Sequence, residues 1–202
     1  MTMGRSLLHL RKINFLSYYL NQYEGNYLEI GCYDGVTLCA IAAATPNKIC
    51  YGIDPFLGDM FVIPELKESD TVFVDMPDQR ANLYSNIEDC PNIKFFEMTA
   101  EEFEKRHTEE ELKKLNVSIF LIDGSHHYEY VTIDWKLCLK LLENKQGVIH
   151  FDDFRAPGVE KARKEFEIYL KEQNISYTTE WETIKEFPDY KGDVPYNTFK
   201  IE

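Results

Sequence analysis

The chain has 202 residues, 44% of them hydrophobic, which provides one domain with a full core and excludes a disordered tail. Its 35 acidic residues outnumber 22 basic ones, and the net charge of −13 repels a nucleic-acid backbone over most of the surface. The longest apolar runs are too short to span a bilayer, and the N-terminus around Arg5 and Arg11 lacks a secretion signal's apolar stretch, so neither a nucleic acid nor a membrane is an expected partner.

In chain order, Leu7, Leu8, Ile13, Leu16 and Leu20 recur at helical spacing, which predicts an amphipathic helix over Arg5–Tyr23. Asn21–Asn26, with Gly25, ends it. Tyr27–Thr37 (YLEIGCYDGVT) then reads as a buried strand, a turn carrying Gly31 and Gly35, and the start of a helix through Leu38, Ile41 and Ala42. Such a helix N-terminus leaves backbone N–H groups open to a ligand. Glycines in this arrangement serve equally where chain packs closely on chain. A second strand, Ile49–Ile53, ends at Asp54-Pro55, where proline stops it. Pro55–Pro91 loses periodicity apart from a helix over Gln79–Ile87, and reads as a solvated insertion or a lid.

Asn92–Glu97 predicts a third strand, and Thr99/Glu102 and Thr108/Glu111 each predict a capping box at a helix start. Val117–Ile122 (VSIFLI) is continuously apolar, as in a central parallel strand covered on both faces. A helix from Tyr130 through Leu142 follows, closed by Gly147, then a fifth strand over Val148–Phe151 and a helix carrying Val159, Ala162, Phe166 and Leu170. Ser176–Ile184 and Asn197–Ile201 read as two antiparallel strands finishing the sheet. No repeat or linker divides the chain. The pattern is α/β: one domain over residues 1–202, with a mostly parallel sheet between helices. Five scattered cysteines (Cys32, Cys39, Cys50, Cys90 and Cys138), odd in number and without a CxxC pair, point to free thiols in a cytoplasmic compartment.

Ligands of such sheets bind beyond the carboxyl ends of the strands. Four strands here end in acids: Glu29, Asp54, Asp123 and the pair Asp152-Asp153. A carboxylate at Asp54 suits the hydroxyls of a ribose, or simply starts the turn with Pro55. Asp123, Asp152 and Asp153 would repel one another unless something positive sits between them, and hard oxygen ligands in that number suit Mg²⁺ or a similar divalent ion. His126 can take a proton near neutral pH, while Ser125 suits a helix N-cap. His9, His107 and His150 lie outside these motifs.

Assembled, these stations resemble the class I S-adenosylmethionine-dependent methyltransferases. Glu29, Gly31 and Gly35 are similar to the family's first motif, Gly52–Phe56 (GIDPF) to its second, and Met98-Thr99-Ala100 to its adenine contact. LIDGSHHYEYV and VIHFDDF are similar to the branch of metal-dependent small-molecule and sugar O-methyltransferases. The resemblance covers Tyr27–Phe154. It implies a Rossmann-like, doubly wound, seven-stranded sheet with an antiparallel C-terminal pair. It implies S-adenosylmethionine held by Glu29, Gly31, Tyr33, Gly35, Thr37, Asp54, Thr99, Ala100 and Asp123, and a divalent ion held by Asp123, Asp152 and Asp153. The acceptor is then a small hydroxylated molecule, with Asp123 and His126 as catalytic residues. Ser125 and His126 stand where relatives place an acidic or lysine base, and Lys145-Gln146-Gly147 replaces a Pro-Gly-Gly turn. Three alternatives stand beside this reading: an NAD-dependent oxidoreductase, although Gly31-Cys-Tyr-Asp-Gly35 is not GxGxxG; a non-catalytic binding module; and metal-independent transfer with His126 acting alone. The N-terminal helix and the antiparallel tail are both compatible with a homodimer.

Overall fold

The computed structural model describes residues 6–56, 79–143, 145–154, 156–180 and 197–202. The elements in chain order are α1 (Ser6–Gln22), β1 (Asn26–Ile30), α2 (Val36–Ala44), β2 (Cys50–Ile53), α3 (Gln79–Ile87), β3 (Ile93–Phe96), α4 (Ala100–Arg106), α5 (Glu109–Lys114), β4 (Val117–Ile122), α6 (Tyr128–Leu142), β5 (Gly147–Phe151), α7 (Pro157–Glu172), β6 (Tyr177–Glu180) and β7 (Thr198–Ile201). The expected lid at residues 57–78, the end of the expected strand at residues 181–184 and the turn-rich stretch after it, to residue 196, lie outside the described residues.

The seven strands form one sheet in the order β3-β2-β1-β4-β5-β7-β6. The pairs from β3 through β5 are parallel, and β7 pairs antiparallel with both β5 and β6. The chain therefore winds outward in one direction from β1 through β3 and in the other from β4. The switch lies between β1 and β4, where the diverging connections leave a crevice at the carboxyl edge.

Strand pleating divides the core into two layers. Leu28, Ile30, Phe120, Ile122, Ile149 and Phe151 face α4–α7, where Phe103, Trp135 and Phe166 are fully or almost fully buried. Tyr27, Ile119, Leu121 and Val148 face α1–α3, against Leu16, Leu20, Leu38, Ile41 and Leu83. The run Val117–Ile122 is buried at every position, as its composition predicts for a strand covered on both faces. Both predicted capping boxes form: Thr99 with Glu102 at α4, and Thr108 with Glu111 at α5.

Two local readings need correction. Gly147 does not close α6; the helix ends at Leu142, and Glu143 adopts the left-handed conformation there at φ 45°. Gly147 is instead the first residue of β5, and a Cβ on it would lie 2.4 Å from the Ser118 carbonyl oxygen and 2.5 Å from Leu142 Cδ1. Its missing side chain lets β5 begin directly beside β4. Ser125 is not the N-cap of α6 either. That position is His127, and the Ser125 hydroxyl accepts the His127 N–H at 3.1 Å, ordering the turn before the helix.

Candidate active site

The strand register sets the site. Glu29 pairs with Leu121, and Leu121 with His150. Because side chains alternate across a sheet, Glu29, Asp123 and Asp152 continue the rows that face α1. One step past the end of β1, Gly31 meets the end of β4 at the backbone. A Cβ there would come within 2.3 Å of the Asp123 carbonyl oxygen and Gly124 Cα, and its φ is 88°. Only glycine allows the two strand ends at the switch point to approach this closely.

On the β1–β2 side the chain satisfies its own polar groups. Asp54 is buried; its Oδ2 accepts the backbone N–H groups of Cys32 and Tyr33 at 2.8 and 2.9 Å, and its Oδ1 accepts that of Phe56 at 2.8 Å. The carboxylate thus fixes the glycine turn, with Tyr33 in the left-handed region at φ 54°. Gly35 caps α2 at φ 77°, and Asn86 of α3 donates to the Asp34 carbonyl at 2.8 Å. Thr37 is buried in the first turn of α2. Glu29 accepts the Tyr27 hydroxyl at 2.9 Å, and burial pushes its carboxyl up to about 8, so it is largely protonated at neutral pH. At the end of β3, the Thr99 hydroxyl and N–H serve the α4 cap, and Ala100 is buried beside them.

The β4–β5 side is built from charges. One oxygen each of Asp123, Asp152 and Asp153 lies within 4.8 Å of the others, as their strand-end positions predict. The sequence reading missed what lies against them. Lys12, from α1, is buried, and its Nζ is 3.3 Å from Asp123 Oδ2 and bonded to Asp152 Oδ2. Burial opposes the lysine's charge, but Asp123 and Asp152 outweigh it and hold its pKa above the usual lysine value. Burial and then the Asp152 charge push Asp123 well above the carboxylate range. Burial acts on Asp152 too, yet Lys12 holds it below that range. Within this partly buried pair, Lys12 thus favours the ionised form of Asp152, while burial and Asp152 disfavour that of Asp123.

A signal for Lys12 was present in the sequence. It stands four and eight residues before Leu16 and Leu20, on the stripe of α1 that enters the core, where a lysine is rare unless paired. Asp153, at φ 45°, pairs with His126, Nε2 to Oδ2 at 2.9 Å. This hydrogen bond raises the histidine's pKa against the opposing effect of burial. Gly158, at the start of α7, makes room for that loop: a Cβ would sit 2.1 Å from the His126 carbonyl oxygen. His150 lies in the core between strands, its Nδ1 2.9 Å from the Thr198 hydroxyl, and burial lowers its pKa to about 4.

The spacing of the three acids suits an ion with oxygen ligands at about 2.0–2.1 Å, as Mg²⁺ requires. Their charges do not. Lys12 engages an oxygen of Asp123 and one of Asp152, and His126 engages Asp153. As arranged, the donor set is matched to the chain's own cations and does not fit a divalent ion.

Residues 28–154 match the model of a protein family described as "Methyltransferase domain". The chain belongs to this methyltransferase family. This membership makes the chain an S-adenosylmethionine-dependent methyltransferase and removes the nicotinamide alternative. No curated protein matches the sequence. Among solved structures the methyltransferase is similar to CalS11, a TDP-rhamnose 3'-O-methyltransferase of calicheamicin biosynthesis, at 15% identity and a TM-score of 0.62, covering 98% of this chain and 80% of that one. It is also similar to a caffeoyl-CoA O-methyltransferase-like protein from Staphylococcus aureus (13%, TM-score 0.54, 95% and 82% covered). A third is TomG from Streptomyces achromogenes, an O-methyltransferase of tomaymycin synthesis solved with its methyl donor (14%, TM-score 0.53, 94% and 78% covered). At these identities the likeness is one of fold. Among the described residues, no helix of the methyltransferase is long and apolar enough to cross a membrane.

Proposed function

We propose that the enzyme transfers the methyl group of S-adenosylmethionine to a hydroxyl of a small molecule such as a sugar, a polyol or a phenol. The observation that carries this reading is the juxtaposition at the switch point. The glycine turn after β1 lies against the end of β4, whose Asp123 begins the cluster of Lys12, Asp152, Asp153 and His126. Donor and acceptor would meet there, with the glycine turn and Glu29 beside the donor and the charged cluster beside the acceptor. The solved structures named above that carry a stated substrate or product class are O-methyltransferases, which is consistent with a hydroxyl acceptor.

The sulfonium is already activated, so the protein's task is to align the acceptor oxygen and take its proton. The acceptor oxygen attacks the methyl carbon, the carbon–sulfur bond breaks, and S-adenosylhomocysteine leaves as a neutral thioether. The hydroxyl proton goes to His126. With Nε2–H donated to Asp153, the base is Nδ1, and Asp153 stabilises the imidazolium that forms. The divalent ion that the resemblance implies would compete with Lys12 for Asp123 and Asp152. No step of this scheme uses it.

A test is incubation of the purified enzyme with methyl-labelled S-adenosylmethionine and a panel of sugars, polyols and phenols, with products identified by mass spectrometry. The reading expects an ether-linked methyl group on at least one hydroxylated acceptor, and strong loss of turnover in His126→Ala. Transfer to nitrogen or carbon acceptors alone would overturn it.

A further inference from the structure

We propose that Lys12 is the resident cation of the acceptor site, an ammonium delivered by α1 into the place where a divalent metal would otherwise balance the strand-end acids. The inference rests on the acceptor-site reading above and names the group that positions the hydroxyl.

Three observations converge on it. First, Asp123 and Asp152 end neighbouring strands in a register that places both carboxylates on the α1 face, so some positive charge is needed between them. Second, the cation that meets them is anchored. Leu16 and Leu20, one and two turns along the same stripe of α1, are fully buried, and Ile13 beside Lys12 is buried as well. The helix therefore holds the base of the lysine side chain in the core while its Nζ reaches the rim. Third, the remaining acid of the cluster is paired with a different group, His126, so each of the three carboxylates has a partner within the chain.

An ammonium has three N–H donors. Asp123 and Asp152 take two, which leaves one for an acceptor oxygen. Donation there would stabilise the negative charge that builds on the oxygen as His126 removes its proton, the role a metal plays as a Lewis acid. A lysine and a divalent ion compete for these two carboxylates. An ammonium offers a cation no lone pair, and at about 3–4 Å the two positive charges repel strongly in a partly buried site.

The test is calorimetric and needs no acceptor. The protein, freed of metal by chelation, is titrated with Mn²⁺ as a probe, and separately with S-adenosylhomocysteine. The same is done for Lys12→Met and Lys12→Arg. Expected are unaltered S-adenosylhomocysteine binding in all three, negligible Mn²⁺ binding in the original protein and in Lys12→Arg, and Mn²⁺ affinity raised about tenfold or more in Lys12→Met. Mn²⁺ binding to the original protein as tight as to Lys12→Met, and lost in Asp152→Asn, would overturn the proposal while leaving the methyltransferase reading intact. If Lys12→Met does not fold, the contrast between the original protein and Asp152→Asn decides alone. Saturable Mn²⁺ binding to the original protein that requires Asp152 counts against Lys12, and its absence counts for it. Failure of S-adenosylhomocysteine to bind the folded original protein would instead strike the functional reading beneath.

Discussion

The two halves of the carboxyl edge use aspartates in opposite ways. At the end of β2, Asp54 is buried against three backbone N–H groups, all within 22 residues of it in the chain. At the ends of β4 and β5, Asp123 and Asp152 are satisfied by one ammonium 111 and 140 residues away. The first arrangement shapes a turn and carries little free charge to the ligand. The second gathers charged side chains from distant parts of the chain at the carboxyl edge. In the function proposed above, donor binding would thus rest on backbone form and acceptor handling on side-chain charge.

Substitutions can break that contrast at several points. The largest effect is expected where the halves touch. In Gly31→Ala the added methyl meets the Asp123 and Gly124 backbone at 2.3 Å, from a residue at φ 88°. A loss on the order of 3–5 kcal/mol in urea unfolding is expected, with loss of S-adenosylhomocysteine binding. A loss below about 1 kcal/mol would show that the strand ends do not meet so closely.

Lys12→Met comes next, since it leaves two partly buried carboxylates without their counter-charge. Roughly 2–4 kcal/mol should be lost at neutral pH, and less in acid, where Asp152 also takes a proton. A loss that does not change with pH would mean that packing of the side chain, not its charge, matters at that position.

Asp54→Asn sharpens the other half. The amide oxygen can still accept the Cys32 and Tyr33 N–H groups, while the bond from Phe56 is lost, so a cost of about 1–2 kcal/mol is expected. If Asp54→Asn proved as costly as Lys12→Met, charge would matter equally on both sides and the contrast would fail.

The smallest effect belongs to His126 and Asp153, a partly exposed pair with Asp152 nearby. The histidine's pKa is raised in the folded enzyme, so its contribution is fully present below the ordinary value near 6.5 and fades as the pH rises through the raised one. About 1 kcal/mol or less is at stake, given the exposure of Asp153. In an NMR titration, Asp153→Ala should move the His126 midpoint downward; an unmoved midpoint would remove the pairing.

What the sequence shows and hides follows the same division. β4 could be bounded from its apolar run alone, because a strand covered on both faces leaves an unbroken signature. The capping boxes were equally visible, being four-residue patterns with a local hydrogen-bond logic. Gly147 misled because a glycine after a helical run usually caps it, whereas here Glu143 takes the left-handed position and the glycine serves close packing of β5 on Ser118. The acids at the strand ends were found by position, and His126 by its place after Asp123. Their partners were not, because the pairing of Lys12 with Asp123 and Asp152 exists only once α1 lies across β4. A cation between the acids was anticipated on electrostatic grounds; that the chain supplies one from its first helix is a tertiary fact.

In the proposed function the carboxyl edge binds the methyl donor with the chain's own groups and without a metal. Calorimetric titration of the chelator-treated enzyme with S-adenosylhomocysteine, repeated in the presence of Mg²⁺, tests it most directly. Binding on the order of micromolar is expected, with the same affinity and heat in both conditions. No binding in either, or binding that appears only when Mg²⁺ is present, would contradict it.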